Sequence, residues 1–490
     1  MTARFEPSRT RRVAHPASHE RSLYWILCGF LVFVALTGGG SRDDILSLIV
    51  LRPVAIAVSA FAAWGLTRDQ ILRHRFAFAM MAAVFALTIL HLVPLPPAIW
   101  SALPGREILV QIDAAAAIGP IWRPLSVAPA GTVNAFFSLF IPLAVLLLGV
   151  RLSTAMQHRL LLIVVLIGLF SALLGLLQLL GSPTGPLYLY RNTNYGVATG
   201  LFANRNHQAI FLATLLPMLA ALAMSARGTP KQLLFSYGAL ISGAFLLPLL
   251  LITGSRIGIM TGALGLLSVP FLMRFDKRKP ASPKQRKGPG LRLWRWLSGP
   301  RGLVAMGATF VAVLAGLTIW LSRAASVTRV VDAEAGDELR FKVWPVIFDN
   351  VTAYFPLGSG IGSFVPVFKI VEPDAILRPT YLNHAHNDPL EVLLTAGIPG
   401  ALLMVAAVVA WAIAARRAFS GSLADPNILF ARTGVIVIGL LGIGSLTDYP
   451  LRTPFLAALL VVAALWSSRV NRNSSKRDNA SAAPIRAVRL

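Results

Sequence analysis

RLLLIVVLIGLFSALLGLLQLL, residues 159–180, decides the fold class. After Arg159 it carries no charge, and its only other polar side chains are Ser171 and Gln178. As a helix it would reach about 33 Å, enough to cross ~30 Å of hydrocarbon. A soluble helix of that length would show a polar face, and none is present. Stretches of the same kind recur along the whole chain. Twelve are counted, at about 22–38, 45–66, 76–93, 132–150, 159–180, 207–225, 234–253, 257–273, 302–321, 399–415, 433–447 and 455–468. The chain has 490 residues, 56% hydrophobic and only 13% charged, with mean hydropathy +0.69. That composition excludes an ordinary soluble domain. The expectation is an all-α polytopic membrane protein of about twelve transmembrane helices.

The net charge of +25 would suit a nucleic-acid binder, but its placement excludes that class. With the N-terminus inside and the spans alternating, the inside segments hold 31 of the 45 Lys and Arg, counting Arg159 at the edge of its span. They hold 6 of the 20 acids, so the entire excess falls on one side. The positive-inside rule asks for this asymmetry, and anionic membrane lipid is the partner it implies. No nucleic-acid partner is expected. Both termini are placed in the cytoplasm. A single cysteine, Cys28, leaves no intramolecular disulfide and no Cys-based metal site.

The organisation follows from the spans. Residues 1–21 form a basic cytoplasmic tail and 22–273 carry helices one to eight. A Pro/Gly/Ser-interrupted basic linker follows at 274–301, then the ninth helix at 302–321. A large outer loop runs over 322–398, helices ten to twelve over 399–468, and a basic tail over 469–490. The first span, behind Arg4, Arg9, Arg11, Arg12 and Arg21, is read as an uncleaved helix. The Pro-rich outer segment 94–131 is expected to be mostly irregular, with room for one short helix. The large loop is expected to hold a helix from about Leu339 to Tyr354 and a turn over Gly358–Gly362. Loops of this length are uncommon unless functional.

Four polar clusters fall on the same outer face. They are Tyr188 to His207, Thr253-Gly254-Ser255-Arg256, the large loop with Arg340, Lys342, Trp344 and His384-Ala385-His386-Asn387-Asp388-Pro389-Leu390-Glu391, and Asp448-Tyr449-Pro450-Leu451-Arg452. Arg256 has no acid within 19 positions and suits an anion such as phosphate. A snorkelling interfacial arginine is the alternative. Arg340 has the same two readings, with Asp337 and Glu338 near enough to pair. Asp388-Pro389-Leu390-Glu391 reads as a helix start with Asp388 as N-cap. His386 then lies just before a helix N-terminus, which favours the neutral imidazole that can accept a proton. His384 is its rival. No metal-ligand set, Walker loop or nucleophile elbow is expected, and no cofactor.

His386-Asn387, nine residues, then Gly397-Ile398-Pro399-Gly400 resembles the motif of the bacterial O-antigen ligase superfamily. That superfamily includes O-antigen and exopolysaccharide polymerases and protein O-oligosaccharyltransferases. Gly200-x-Phe202-x-Asn204-x-Asn206-x-x-Ala209 is similar to its pre-helix segment. Ser255-Arg256 resembles its helix start, although Ile257 stands where a small residue is usual. Arg340-x-x-x-Trp344 and Gly358 to Phe364 resemble its large periplasmic loop. The likeness covers roughly 160–470.

The resemblance implies a GT-C-like, metal-independent, inverting glycosyltransferase of the bacterial inner membrane with a periplasmic site. The donor would be a glycan on undecaprenyl diphosphate. The acceptor would be lipid A–core or a growing polysaccharide. By motif, Arg256 and Arg340 would bind the diphosphate and His386 would act on the acceptor hydroxyl. Asn204, Asn206, Asn387, Tyr188 and Tyr190 are candidate glycan or acceptor contacts, with capping and interfacial anchoring as the alternative. Ligase, polymerase and protein transferase stay open at this point. A lipid-linked oligosaccharide flippase is the rival class, although in-membrane ionisable residues are few and Arg52 is the clearest.

Overall fold

The computed structural model describes residues 16–273, 342–377 and 381–468. The ninth expected span, the basic linker, residues 1–15 and 469–490 of the tails and Arg340 therefore lie outside the described residues, whereas 16–21, expected in the N-terminal tail, open a helix. Among the described residues, the regular structure is helical apart from one two-stranded antiparallel ribbon, in which Pro94 pairs Pro124 and Leu95 pairs Arg123.

Eleven apolar helices organise the described residues. They are α1 (Pro16–Thr37), α2 (Leu48–Trp64), α3 (Arg75–Leu90), α4 (Pro129–Val150), α5 (Thr154–Leu180), α6 (Arg205–Ser225), α7 (Gln232–Ile252), α8 (Arg256–Ser268), α9 (Asp388–Ser420), α10 (Pro426–Ser445) and α11 (Pro454–Ser467). Seven of them, α1, α4, α5, α6, α7, α9 and α10, are long and apolar enough to cross a membrane. Each of the eleven coincides with one of the expected apolar stretches. Local chemistry sets where they begin. Ser153, Asn204, Ser255 and Asp425 each accept a backbone N–H of the first turn, and Pro426 and Pro454 occupy first helical positions.

The core is built around α6, which packs against α5, α7, α8 and α10. It is buried from Asn206 to Leu219 without a break. Small residues permit the close approach: Gly258 of α8 lies against Ala209, and a side chain at Gly265 would meet the carbonyl of Ala213 at 2.7 Å.

The start of α9 carries the outer layer. Gly397 interrupts the helix at φ 54°, and a Cβ there would strike the carbonyl of Pro356. Only glycine adopts this backbone without strain and leaves that space. The break opens backbone groups that the Gly358–Gly362 turn takes up. Ser359 N donates to Leu394 O, Gly360 N to Thr395 O and Ile398 N to Pro356 O, at 2.8–2.9 Å. The two glycine motifs of the sequence thus interlock. A second apolar cluster, including Val343, Ile347, Phe364, Phe368, Ala385 and Leu394, closes over the junction. The segment 91–132 braces it from the side: Thr132 Oγ1 donates to Ile361 O at 2.7 Å and Ile361 N to His91 Nδ1 at 3.0 Å.

Candidate active site

Four chain segments meet where α1, α6, α9 and α11 end or begin. α6 starts at the Asn204 cap, whose Oδ1 accepts Asn206 N at 2.8 Å. That cap aims Asn206 and His207 at the short turn between α10 and α11, where Asp448 is fully buried. Asn206 Nδ2 donates to Asp448 Oδ2 at 2.5 Å. On the other oxygen, Oδ1, Asp448 accepts Tyr449 N at 2.9 Å. His386 Nδ1 stands 3.3 Å from the same oxygen and His207 Nε2 3.7 Å from it. His207 Nδ1 in turn meets Thr453 Oγ1 at 2.8 Å.

Burial alone would raise the Asp448 carboxyl. The imidazoles of His207 and His386 outweigh that, and its pKa lies well below the usual carboxylate range. Asp448 is therefore an anion held behind His386. No described residue bonds His386 Nε2, so the ring keeps one nitrogen turned away from Asp448. His386 also sits at φ 50°, a left-handed backbone that a side chain of its size rarely adopts. The cost is roughly 1–3 kcal/mol, and such strain clusters at functional sites.

Tyr449 gathers the remaining groups. Its ring lies 4.8 Å from that of His386, 4.4 Å from His384 and 5.0 Å from His207. Its hydroxyl donates to Asn383 Oδ1 at 3.3 Å and receives Asn204 Nδ2 at 3.4 Å.

A second buried network lies beside the first. Arg452 Nε donates to Asp388 Oδ1 at 2.9 Å, and its Nη1 reaches Glu391 Oε1 at 3.1 Å. Glu391 also accepts Ala385 N at 2.9 Å and meets His384 Nδ1 at 3.0 Å. Burial opposes the charge on Arg452, but Glu391 and Asp388 prevail and raise its pKa. His384 Nε2 faces the Ser41 carbonyl at 3.4 Å. Both ring nitrogens of His384 thus face acceptors, leaving none to take a proton from a substrate. The geometry favours His386 over its rival.

The helix start at 388 departs from expectation. The cap is Asn387, whose Oδ1 accepts Leu390 N at 3.0 Å, and Asp388 is the first helical residue. Arg452 draws Asp388 and Glu391 into ion pairs, so neither closes a capping box. Asn204 and Asn206 join His386 at the site, and Asn387 stands next to it as a cap. Tyr188 and Tyr190 are buried behind it. Tyr190 Oη accepts Gly39 N at 2.6 Å, and Tyr188 Oη donates to Val197 O at 3.2 Å.

Arg256 is exposed at the first residue of α8. The preceding Gly254 lies against the guanidinium of Arg205, which is the neighbour of both Asn204 and Asn206. The starts of α6 and α8 therefore bring Arg256 to the same end of the bundle as His386. Among the described residues, no three His, Cys, Asp or Glu side chains are grouped as a metal site. Asp448, Tyr449, His207, Glu391 and Arg452 make contacts here that motif spacing did not anticipate. The available signal was Asp448 and Arg452 themselves, two charged residues between apolar spans.

Residues 241–405 match the family model described as O-antigen ligase. Arg256 and His386 lie inside the matched segment, whereas Asp448 lies beyond it. The match, with the apolar helices, supports a membrane protein of glycosyl-transferring ligase or polymerase type in general. No curated protein matches the chain.

Proposed function

We propose that this protein transfers a glycan from undecaprenyl diphosphate to a hydroxyl on a periplasmic acceptor, as an O-antigen ligase or an O-antigen or exopolysaccharide polymerase. The observation that carries the reading is that His386, inside the family-matched segment, is backed by the buried Asp448 carboxylate from beyond it. Asp448 orients the ring and stabilises the imidazolium that forms when Nε2 takes a proton. The acceptor oxygen attacks the anomeric carbon, and the bond to the diphosphate breaks with its electron pair leaving on the diphosphate. The hydroxyl proton passes to His386. Arg256 and Arg340 hold the departing charge, the task for which fixed guanidiniums are suited. One displacement inverts the anomeric centre, and no metal ion takes part. Asn204 supplies a polar edge for sugar or acceptor.

The test is transfer in vitro from undecaprenyl-diphosphate-linked oligosaccharide with divalent metals chelated. Lipid A–core, excess donor or a pilin-like protein serves as acceptor. His386→Ala is expected to lower the rate by about 10²–10⁴-fold while donor still binds. The acceptor that becomes modified assigns ligase, polymerase or protein transferase. Undiminished transfer by the variant would overturn the role of His386. Donor translocation in liposomes, without transfer, would make the protein a flippase.

A further inference from the structure

The loop 38–47 leaves α1 and faces two ways. On one side Ser41 O meets His384 Nε2 and Gly39 N holds Tyr190 Oη. On the other side the same loop walls a groove of about 440 Å³. Leu46, Ile49, Pro53, Ile56 and Phe137 make this groove apolar, and Leu46 and Ile49 are 80% and 71% exposed at its rim. Arg52 lies within it.

Arg52 is a cation on an apolar helix, where an unpaired charge is costly. Its Nη2 donates to Ser138 Oγ at 3.1 Å. Its Nε is buried without a hydrogen-bond partner. No carboxylate among the described residues forms an ion pair with it. Two acids line the groove; Asp43 acts on Arg52 electrostatically from a distance, but neither acid contacts it. Asp44 is engaged by Arg42 through two bonds of 2.8 and 2.6 Å, and Asp43 stands exposed at the mouth. A planar guanidinium with donors to spare, set in an apolar trough open to the surroundings, matches an amphiphile. The anionic part should be a phosphate, which the fork binds in bidentate fashion. The remainder should be a hydrocarbon chain.

We propose that this groove binds a lipid-borne phosphate, with the phosphate on Arg52 and one acyl chain along Leu46, Ile49, Pro53 and Ile56. This rests on the chain being a membrane protein, and it does not require the transfer reaction. Two sources share the chemistry: a bilayer phospholipid and a phosphorylated glycolipid acceptor. An acceptor lipid held there would lie one loop away from His384 and His386.

Native mass spectrometry of the full chain in detergent reads the retention of three lipids offered at equal concentration. These are dioleoyl phosphatidylglycerol, bis-phosphorylated lipid A and phosphate-free dioleoylglycerol. The phosphate lipids should be retained over dioleoylglycerol. Arg52→Gln should lower their retention about tenfold, as expected for losing a charge-assisted contact. Arg52→Lys, which keeps the charge but loses the fork, should keep only part of it. Ile49→Trp, which fills the groove from its exposed rim, should lower it with Arg52 intact, and it serves if Arg52→Gln does not fold. Preference for lipid A assigns the groove to an acceptor, and preference for phosphatidylglycerol assigns it to bilayer lipid. Equal retention of dioleoylglycerol, or retention unchanged in both Arg52→Gln and Ile49→Trp, would overturn the proposal. Because retention is read without turnover, failure here is separable from failure of the transfer reading.

Discussion

His386 and His384 are two residues apart and differ in what their nitrogens face. His384 is spent between Glu391 and the Ser41 carbonyl, whereas His386 has one nitrogen toward Asp448 and one turned away. The Asp448 carboxyl, held well below its ordinary value, sets a pH signature. A carboxyl with a depressed folded pKa stabilises the fold fully above its unfolded value of about 3.9, and that contribution is lost only as pH falls below it. Asp448 is therefore ionised over the whole working range. Asp448→Asn should slow transfer by about 10²-fold or more, since the ring loses its orienting anion. Asp448 itself should add no ionisation step to the wild-type rate profile between about pH 5 and 8. Transfer undiminished in Asp448→Asn would show that the carboxylate does not orient the ring.

At the scale of elements, the site depends on how α9 begins and breaks. Arg452 ties Asp388 and Glu391 of its first turn to the turn before α11. Nine residues on, Gly397 breaks the helix so that the Gly358–Gly362 turn can dock on it. The motif glycine therefore serves backbone geometry rather than chemistry. Gly397→Ala forces a Cβ into the Pro356 carbonyl at a positive φ. It should destabilise the protein by roughly 1–3 kcal/mol. Thermal unfolding in detergent reads that loss as a lower midpoint, with transfer falling in parallel. An unchanged midpoint would mean that the break is not needed.

For the whole molecule, α5 separates two chemically different ends. At its start Ser153 N donates to Glu20, and Arg151 lies by His19. At its end Gln178 bonds the backbone of Thr199 and Gly200, just before the Asn204 cap. Its 27 residues make these ends about 40 Å apart. The proposed orientation, with basic segments inside, turns the His386 end outward. An alkaline phosphatase reporter fused after residue 120 should be active, and one fused after residue 228 should be silent. The reverse pattern would place His386 in the cytoplasm and remove it from any periplasmic acceptor.

The helical class, the positions of eleven apolar stretches, the charge asymmetry and the placing of His386 just before a helix start were all legible along the chain. These features are local: hydrocarbon thickness dictates length, and residues close in sequence carry the motif. The partners of those residues were not legible. Asp448 reaches His386 only because α9 and α10 fold back and α6 brings Asn206 and His207 to the same turn. Asn387 displaced Asp388 as the cap because Arg452, far along the chain, offered Asp388 a charge partner. A buried ion pair is decided by which groups leave water together, and only the folded packing of distant helices determines that.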